Sequence, residues 1–107
     1  MSEQTQQSLE EISFQIILHA GNARSDAMEG MAFAREGKFE EAHAKLRDAE
    51  ASFVEAHHVQ SALLHKEAGG EGVSPSVLLI HAQDHLMTAM TVKDLAQEIV
   101  HLHEKNA

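Results

Sequence analysis

Cysteine, tryptophan and tyrosine are absent from the 107 residues, and proline occurs once. Without cysteine the chain has no disulfide frame and no thiolate of its own. Aromatic residues make up 4 %, too few for sheets, which favour aromatic and β-branched side chains. Basic residues are also scarce. Eight Lys and Arg against seventeen Asp and Glu leave a net charge of −9. Nucleic acid and anionic membrane select basic surfaces, so neither is an expected partner. No apolar run approaches the length of a membrane span. The opening residues Met1-Ser-Glu-Gln-Thr-Gln-Gln7 lack the basic and apolar regions of a secretory signal. The expected compartment is the cytoplasm.

What remains is a helix-forming chain. Hydrophobic residues reach 43 %, with Ala and Leu dominant, which suits a single domain over residues 1–107 with a modest core. Three periodic segments are separated by two glycine-marked breaks. The first is expected from Ser8, as N-cap ahead of Glu10 and Glu11, to Arg35, with Gly37 just past its end. Within it Gly21 and Ser25, four apart, suit either the close approach of another helix or an ordinary low-volume surface. The second is expected from Phe39 to Lys66, with Ala42, Leu46, Ala49, Phe53, Ala56, Gln60 and Leu63 or Leu64 at helical spacing. After Ala68-Gly-Gly-Glu-Gly72, Ser74 as N-cap and Pro75 as first helical residue begin a third segment that runs to about Glu104.

That third segment has two apolar sides. At about 100° per residue, Val77, Ile80, Met87, Leu95 and Leu102 form one stripe, and Leu79, Leu86 and Met90 lie roughly opposite. Two helices of the same chain can cover only one side. The expected architecture is therefore an all-α antiparallel three-helix bundle that self-associates through its third helix with cyclic symmetry. Asp84 falls in the middle of the first stripe, His81 on its border, and His85 one turn beyond. A carboxylate on an apolar face is costly unless something neutralises it.

Three readings fit this cluster. His81 and His85 with Asp84 have ligand types and spacing suited to zinc, although Ala82 stands where a zincin carries glutamate. His81 alone could be a nucleophile toward phosphorus, neutral and partly exposed, with His85, Gln83 or Gln60 donating to phosphoryl oxygens or fixing the ring. Or the histidines are border residues of a non-catalytic helical adaptor. His57 and His58 flank the face that should pack near His81, and His57 is a candidate to shape the same cleft. His43, His101 and His103 read as solvated rim residues, and Met28, Met31, Met87 and Met90 as core or interface filler.

The stretch His81-Ala-Gln-Asp-His-Leu-Met-Thr88 resembles the signature of the lactose/cellobiose/chitobiose class of enzyme IIA of the bacterial sugar phosphotransferase system. Ala20-Gly-Asn-Ala-Arg-Ser25, Glu55-Ala-His-His-Val-Gln60 and the Gly-rich turn before the last helix match in order. The resemblance implies a three-helix protomer that forms a homotrimer. It implies that His81 is the phosphorylated residue and that the three Asp84 copies share a magnesium ion at the axis. HPr would supply the phosphoryl group and a cysteine of a cognate IIB protein would receive it. Ile16-Ile-Leu-His19 and Leu102-His-Glu-Lys105 look more like cellobiose or chitobiose members than lactose ones.

Overall fold

The computed structural model describes the backbone of residues 2–107 and the side chains of residues 9–107. Helix α1 spans Ser2–Arg35, α2 Phe39–Ala68 and α3 Val77–Lys105. They lie side by side in a rod of 57 × 20 × 19 Å. The fold is all-α, with no strand among the described residues.

Glycine makes both breaks in the same way. Gly37 sits at φ 79° and Gly70 at φ 93°, a left-handed conformation that side chains with a Cβ resist. After α1, Lys38 N–H donates to Phe33 O and Gly37 N–H to Ala34 O; after α2, Glu71 N–H donates to Lys66 O and Gly70 N–H to Glu67 O. Each is a Schellman closure that satisfies the orphan carbonyls of the last turn. Two helix starts differ from expectation. Backbone helix continues through Ser8 back to Ser2, because residues 3–7 include no glycine or proline to stop it. Helix α3 is capped by Ser76, not Ser74: Ser76 is extended (φ −141°, ψ 159°) and its hydroxyl accepts from Leu79 N–H at 3.1 Å. Pro75 thus precedes the cap instead of opening the helix.

The core is built on alanine at seven-residue spacing. Ala20, Ala27 and Ala34 on α1, Ala42, Ala49 and Ala56 on α2, and Ala82, Ala89 and Ala96 on α3 are all buried. A seven-residue repeat keeps one narrow seam facing its neighbours along the whole helix. Ile16 and Ala20 pack with Ala56, Ala82, Leu86 and Ala89, while Ala27 and Ala34 pack with Ala42, Leu46, Ala49, Ala96 and Val100. The matching order makes α1 and α3 parallel, with α2 antiparallel to both.

Close approach occurs at Gly30 and not at Gly21. A Cβ at Gly30 would meet Ala42 O at 3.2 Å and Leu46 Cδ2 at 3.3 Å, whereas at Gly21 nothing among the described residues lies within 4 Å. Gly30→Val should therefore destabilise the fold by about 1–3 kcal/mol through overpacking. Gly21→Ala should stabilise it by roughly 0.5–1 kcal/mol, from helix propensity alone. Urea denaturation of both variants checks the pair. Equal effects would mean the α1–α2 contact has been misplaced.

Lysine 93 also lies in the seam. It is buried at 8 % exposure, its Nζ 2.8 Å from Glu50 and 2.9 Å from Asp94, and 5.1 Å from the centroid of the Phe53 ring. Burial pulls its pKa down, but hydrogen bonds and charge from Glu50 and Asp94 outweigh that and hold it above the ordinary lysine value. A raised folded-state pKa gives stability that is fully present below the unfolded value. It is lost as pH rises through the folded one. Thermal unfolding followed upward from about pH 10 should show this alkaline loss in wild type and less of it in Lys93→Met. Near neutral pH that variant, which keeps the aliphatic stem packed, should stay within about 1 kcal/mol of wild type. An unchanged alkaline slope would remove Lys93 as its source.

Helix α3 buries Leu79, Ala82, Leu86, Ala89, Lys93, Ala96 and Val100 against its own chain. Val77, Ile80, Met87, Leu95 and Leu102 remain exposed. Met90 does not join Leu79 and Leu86 but is 38 % exposed, because its phase falls at the edge of the covered side. The outer stripe therefore stays open in the protomer.

Candidate functional site

Ala82 and Leu86 are fully buried and fix the N-terminal part of α3 against α1 and α2. The residues between and beside them are thereby held on a rigid helix. His81 is exposed and His85 half-buried. Their rings meet edge to face, centroids 4.6 Å apart at 87°. Thr88 Oγ1 donates to the carbonyl oxygens of Asp84 at 3.0 Å and His85 at 3.1 Å. Asp84 itself is exposed on the open stripe and makes no ion pair among the described residues.

Gln60 and Gln83 come together across the α2–α3 contact: Gln60 Nε2 donates to Gln83 Oε1. Gln60 is 9 % exposed, and this bond satisfies its buried amide. His81 and Gln83 do not share a side of α3. Two residues apart on a helix, they point about 160° away from each other. His57 lies on α2 with its ring stacked on Phe53, centroids 6.0 Å apart at 25°.

Within one protomer, no three His, Cys, Asp or Glu side chains converge as a metal-holding group among the described residues. Near its N-terminal end the open stripe offers a cation a single carboxylate, Asp84, since Glu98 on the same stripe lies about 21 Å further along the helix. That donor is oxygen, the type magnesium prefers, but one is too few unless copies share the ion. No helix among the described residues is long and apolar enough to cross a membrane.

The inter-helix partner of His43 was not evident in the sequence. His43 Nε2 lies 2.8 Å from Glu104 Oε1, tying the start of α2 to the end of α3, 61 positions apart. The rim reading of His43 holds for its exposure, but the partner is set by the fold.

An exposed imidazole on a helix with a second imidazole against it suits group transfer between proteins. Comparison with known proteins agrees. Residues 11–104 match the family described as PTS system, Lactose/Cellobiose specific IIA subunit. The chain is 56 % identical over 99 residues to the lichenan-specific phosphotransferase enzyme IIA component of Bacillus subtilis, covering 92 % of this chain and 90 % of that one. Its fold is similar to the crystal structure of the PTS cellobiose-specific enzyme IIA from Bacillus anthracis. That match has a TM-score of 0.88 and 54 % identity over 91 % of this chain and 89 % of the other. It is similar as well to the solution structure of the IIA(Chitobiose)–HPr complex of the N,N'-diacetylchitobiose branch of the Escherichia coli phosphotransferase system. There the TM-score is 0.79 and the identity 39 %, over 91 % and 94 % of the two chains. The chain thus belongs to the lactose/cellobiose-specific IIA family and is a phosphotransferase component of the sugar phosphotransferase system.

Proposed function

We propose that this chain is a cytoplasmic phosphocarrier in the uptake of a β-linked disaccharide of the cellobiose or chitobiose kind. It accepts a phosphoryl group from phospho-HPr on His81 and passes it to a cysteine of a cognate IIB protein. The observation that carries the reading is the placement of His81, exposed on α3 beside the buried anchor Ala82. In the first transfer the P–N bond to the donor imidazole breaks while a P–N bond to the unprotonated nitrogen of His81 forms. The donor nitrogen leaves with the electron pair, and nothing is oxidised or reduced. In the second, the P–N bond to His81 breaks as the thiolate of IIB forms a P–S bond. In this reading His85, whose ring lies against that of His81, donates to a phosphoryl oxygen. The complex of the chitobiose relative with HPr supports the choice of donor, and the relatives named for lichenan and cellobiose support the sugar class.

Assembly completes the protein. Val77, Ile80, Met87, Leu95 and Leu102 form an apolar stripe that no helix of the protomer covers, and a homotrimer through α3 would bury it. Three Asp84 carboxylates would then meet at the axis, where a shared magnesium ion neutralises their charge. The chemistry of transfer stays with His81.

Incubation with phosphoenolpyruvate, enzyme I and HPr, followed by intact mass measurement at alkaline pH, tests the reading. One alkali-stable, acid-labile phosphoryl group per chain is expected. A chain that gains no mass while HPr is phosphorylated is not a phosphocarrier.

A further inference from the structure

The inner side of α3 repeats every seven residues. Ala82, Ala89 and Ala96 form one buried row, and Leu79, Leu86, Lys93 and Val100 form the other. Helices α1 and α2 meet these rows with buried alanines at the same spacing. A slide of α3 by seven residues, about 10 Å, therefore sets alanine on alanine and apolar on apolar again. The connections hold the helices unequally. Residues 36–38 join α1 to α2 in a tight hydrogen-bonded closure. Residues 69–76 join α2 to α3 and include Gly69, Gly70 and Gly72. A loop of that length extends to about 25 Å, so it does not forbid the slide.

One residue breaks the repeat. In the observed alignment Lys93 Nζ lies 2.8 Å from Glu50 of α2 and 5.1 Å from the centroid of the Phe53 ring. Moved one heptad either way, the same ammonium would take the place of Leu86 or Val100, opposite His57 or His43 and away from Glu50. Asp94 travels with it on α3, but the carboxylate across the contact is lost, and a buried charge short of its partner is costly. We infer that Lys93 is the register key of α3: its pairing with Glu50 selects one of several nearly equivalent heptad alignments and so fixes where His81 stands along the bundle. A single polar residue in an apolar seam sets register in coiled coils in the same way. The bond from Gln60 to Gln83 keeps the same alignment further along both helices, but a neutral amide loses less than an ammonium when its partner moves away. Lys93 stands about 18 Å along α3 from His81, so it is a positioning residue and takes no part in the transfer itself.

The chain has no cysteine, so spin labels on Glu67→Cys and Gln97→Cys, both exposed positions, report the alignment of α2 and α3 in the full chain. Labelled chains are diluted with unlabelled chains of the same variant, so that only distances within a chain are read. Position 97 lies about 30 Å along α3 from the level of residue 67. With Lys93 in place, double electron–electron resonance should give one distance. Lys93→Leu, which completes the apolar row, should fold and add a second population about 10 Å shorter or longer. Lys93→Arg keeps a cation for Glu50 and should return the single distance. A single native distance in Lys93→Leu overturns the inference, and so do two distances in Lys93→Arg. So does a Lys93→Leu chain that does not fold, since the lysine would then be a stabilising contact and not a selector of register.

Discussion

His81→Ala is expected to gain no phosphoryl mass from phospho-HPr, at any time of incubation, while folding and assembling as wild type does. No residual rate is expected, since the substitution removes the atom that forms the P–N bond and does not merely weaken a contact. Folding should be indifferent because His81 is exposed, and substitutions at such positions usually change stability by less than about 0.5 kcal/mol. His85→Ala separates the two roles. It leaves the nucleophile and removes the ring that lies 4.6 Å away, so phosphorylation should slow without stopping. Stopped-flow or quench-flow labelling with phospho-HPr, alongside far-ultraviolet circular dichroism, measures both. Ordinary labelling of His81→Ala would move the acceptor role to another histidine. Complete loss in His85→Ala would make that ring part of the acceptor and not a donor beside it.

The helices were legible because their pattern is local. The helical spacing of Ala42, Leu46, Ala49 and Ala56, an apolar phase on α3 and glycine at the ends of α1 and α2 are all readable from spacing alone, whereas the buried alanines of α3 were not singled out. The family was legible for a different reason: four short matches fall in order along nearly the whole chain. Neighbours on other helices were the illegible part. Lys93 falls on the inner line of α3 between Ala89 and Ala96, a place where periodicity predicts an apolar residue. Its charge is held by Asp94 on the same helix and by Glu50, which arrives from α2. Gly30, not Gly21, marks the tight helix contact, since spacing shows which residues are small but not which of them a neighbour approaches. Ser74 and Ser76 flank the one proline and compete as caps. Only the extended backbone of Ser76 and its bond to Leu79 N–H decide between them. Of the site, the phases of His81 and Asp84 were legible. The bond between Gln60 and Gln83, 23 positions apart, was not.

Asp84→Leu is expected to strengthen assembly and free it from any dependence on magnesium. In the protomer Asp84 is exposed, so the substitution should leave the fold of one chain nearly unchanged. Its effect appears only where copies meet. In the proposed trimer, threefold burial of the stripe would bring three carboxylates together out of water, and like charges there oppose assembly unless a cation or shared protons intervene. Leucine removes that opposition and adds apolar surface between Ile80 and Met87, which are themselves exposed in the protomer. Replacing buried ionic groups by apolar ones of similar volume is commonly neutral or stabilising by about 1–4 kcal/mol. The variant trimer should then resist dilution at least as well as wild type, and chelator should not affect it. His81 lies on the border of the stripe and should still accept phosphate. Sedimentation velocity over a dilution series, with and without chelator, gives the answer. A monomeric Asp84→Leu would show that the carboxylates hold the copies together as ligands or hydrogen-bond acceptors. A wild-type protein indifferent to chelator and equal to the variant would instead place Asp84 away from the axis.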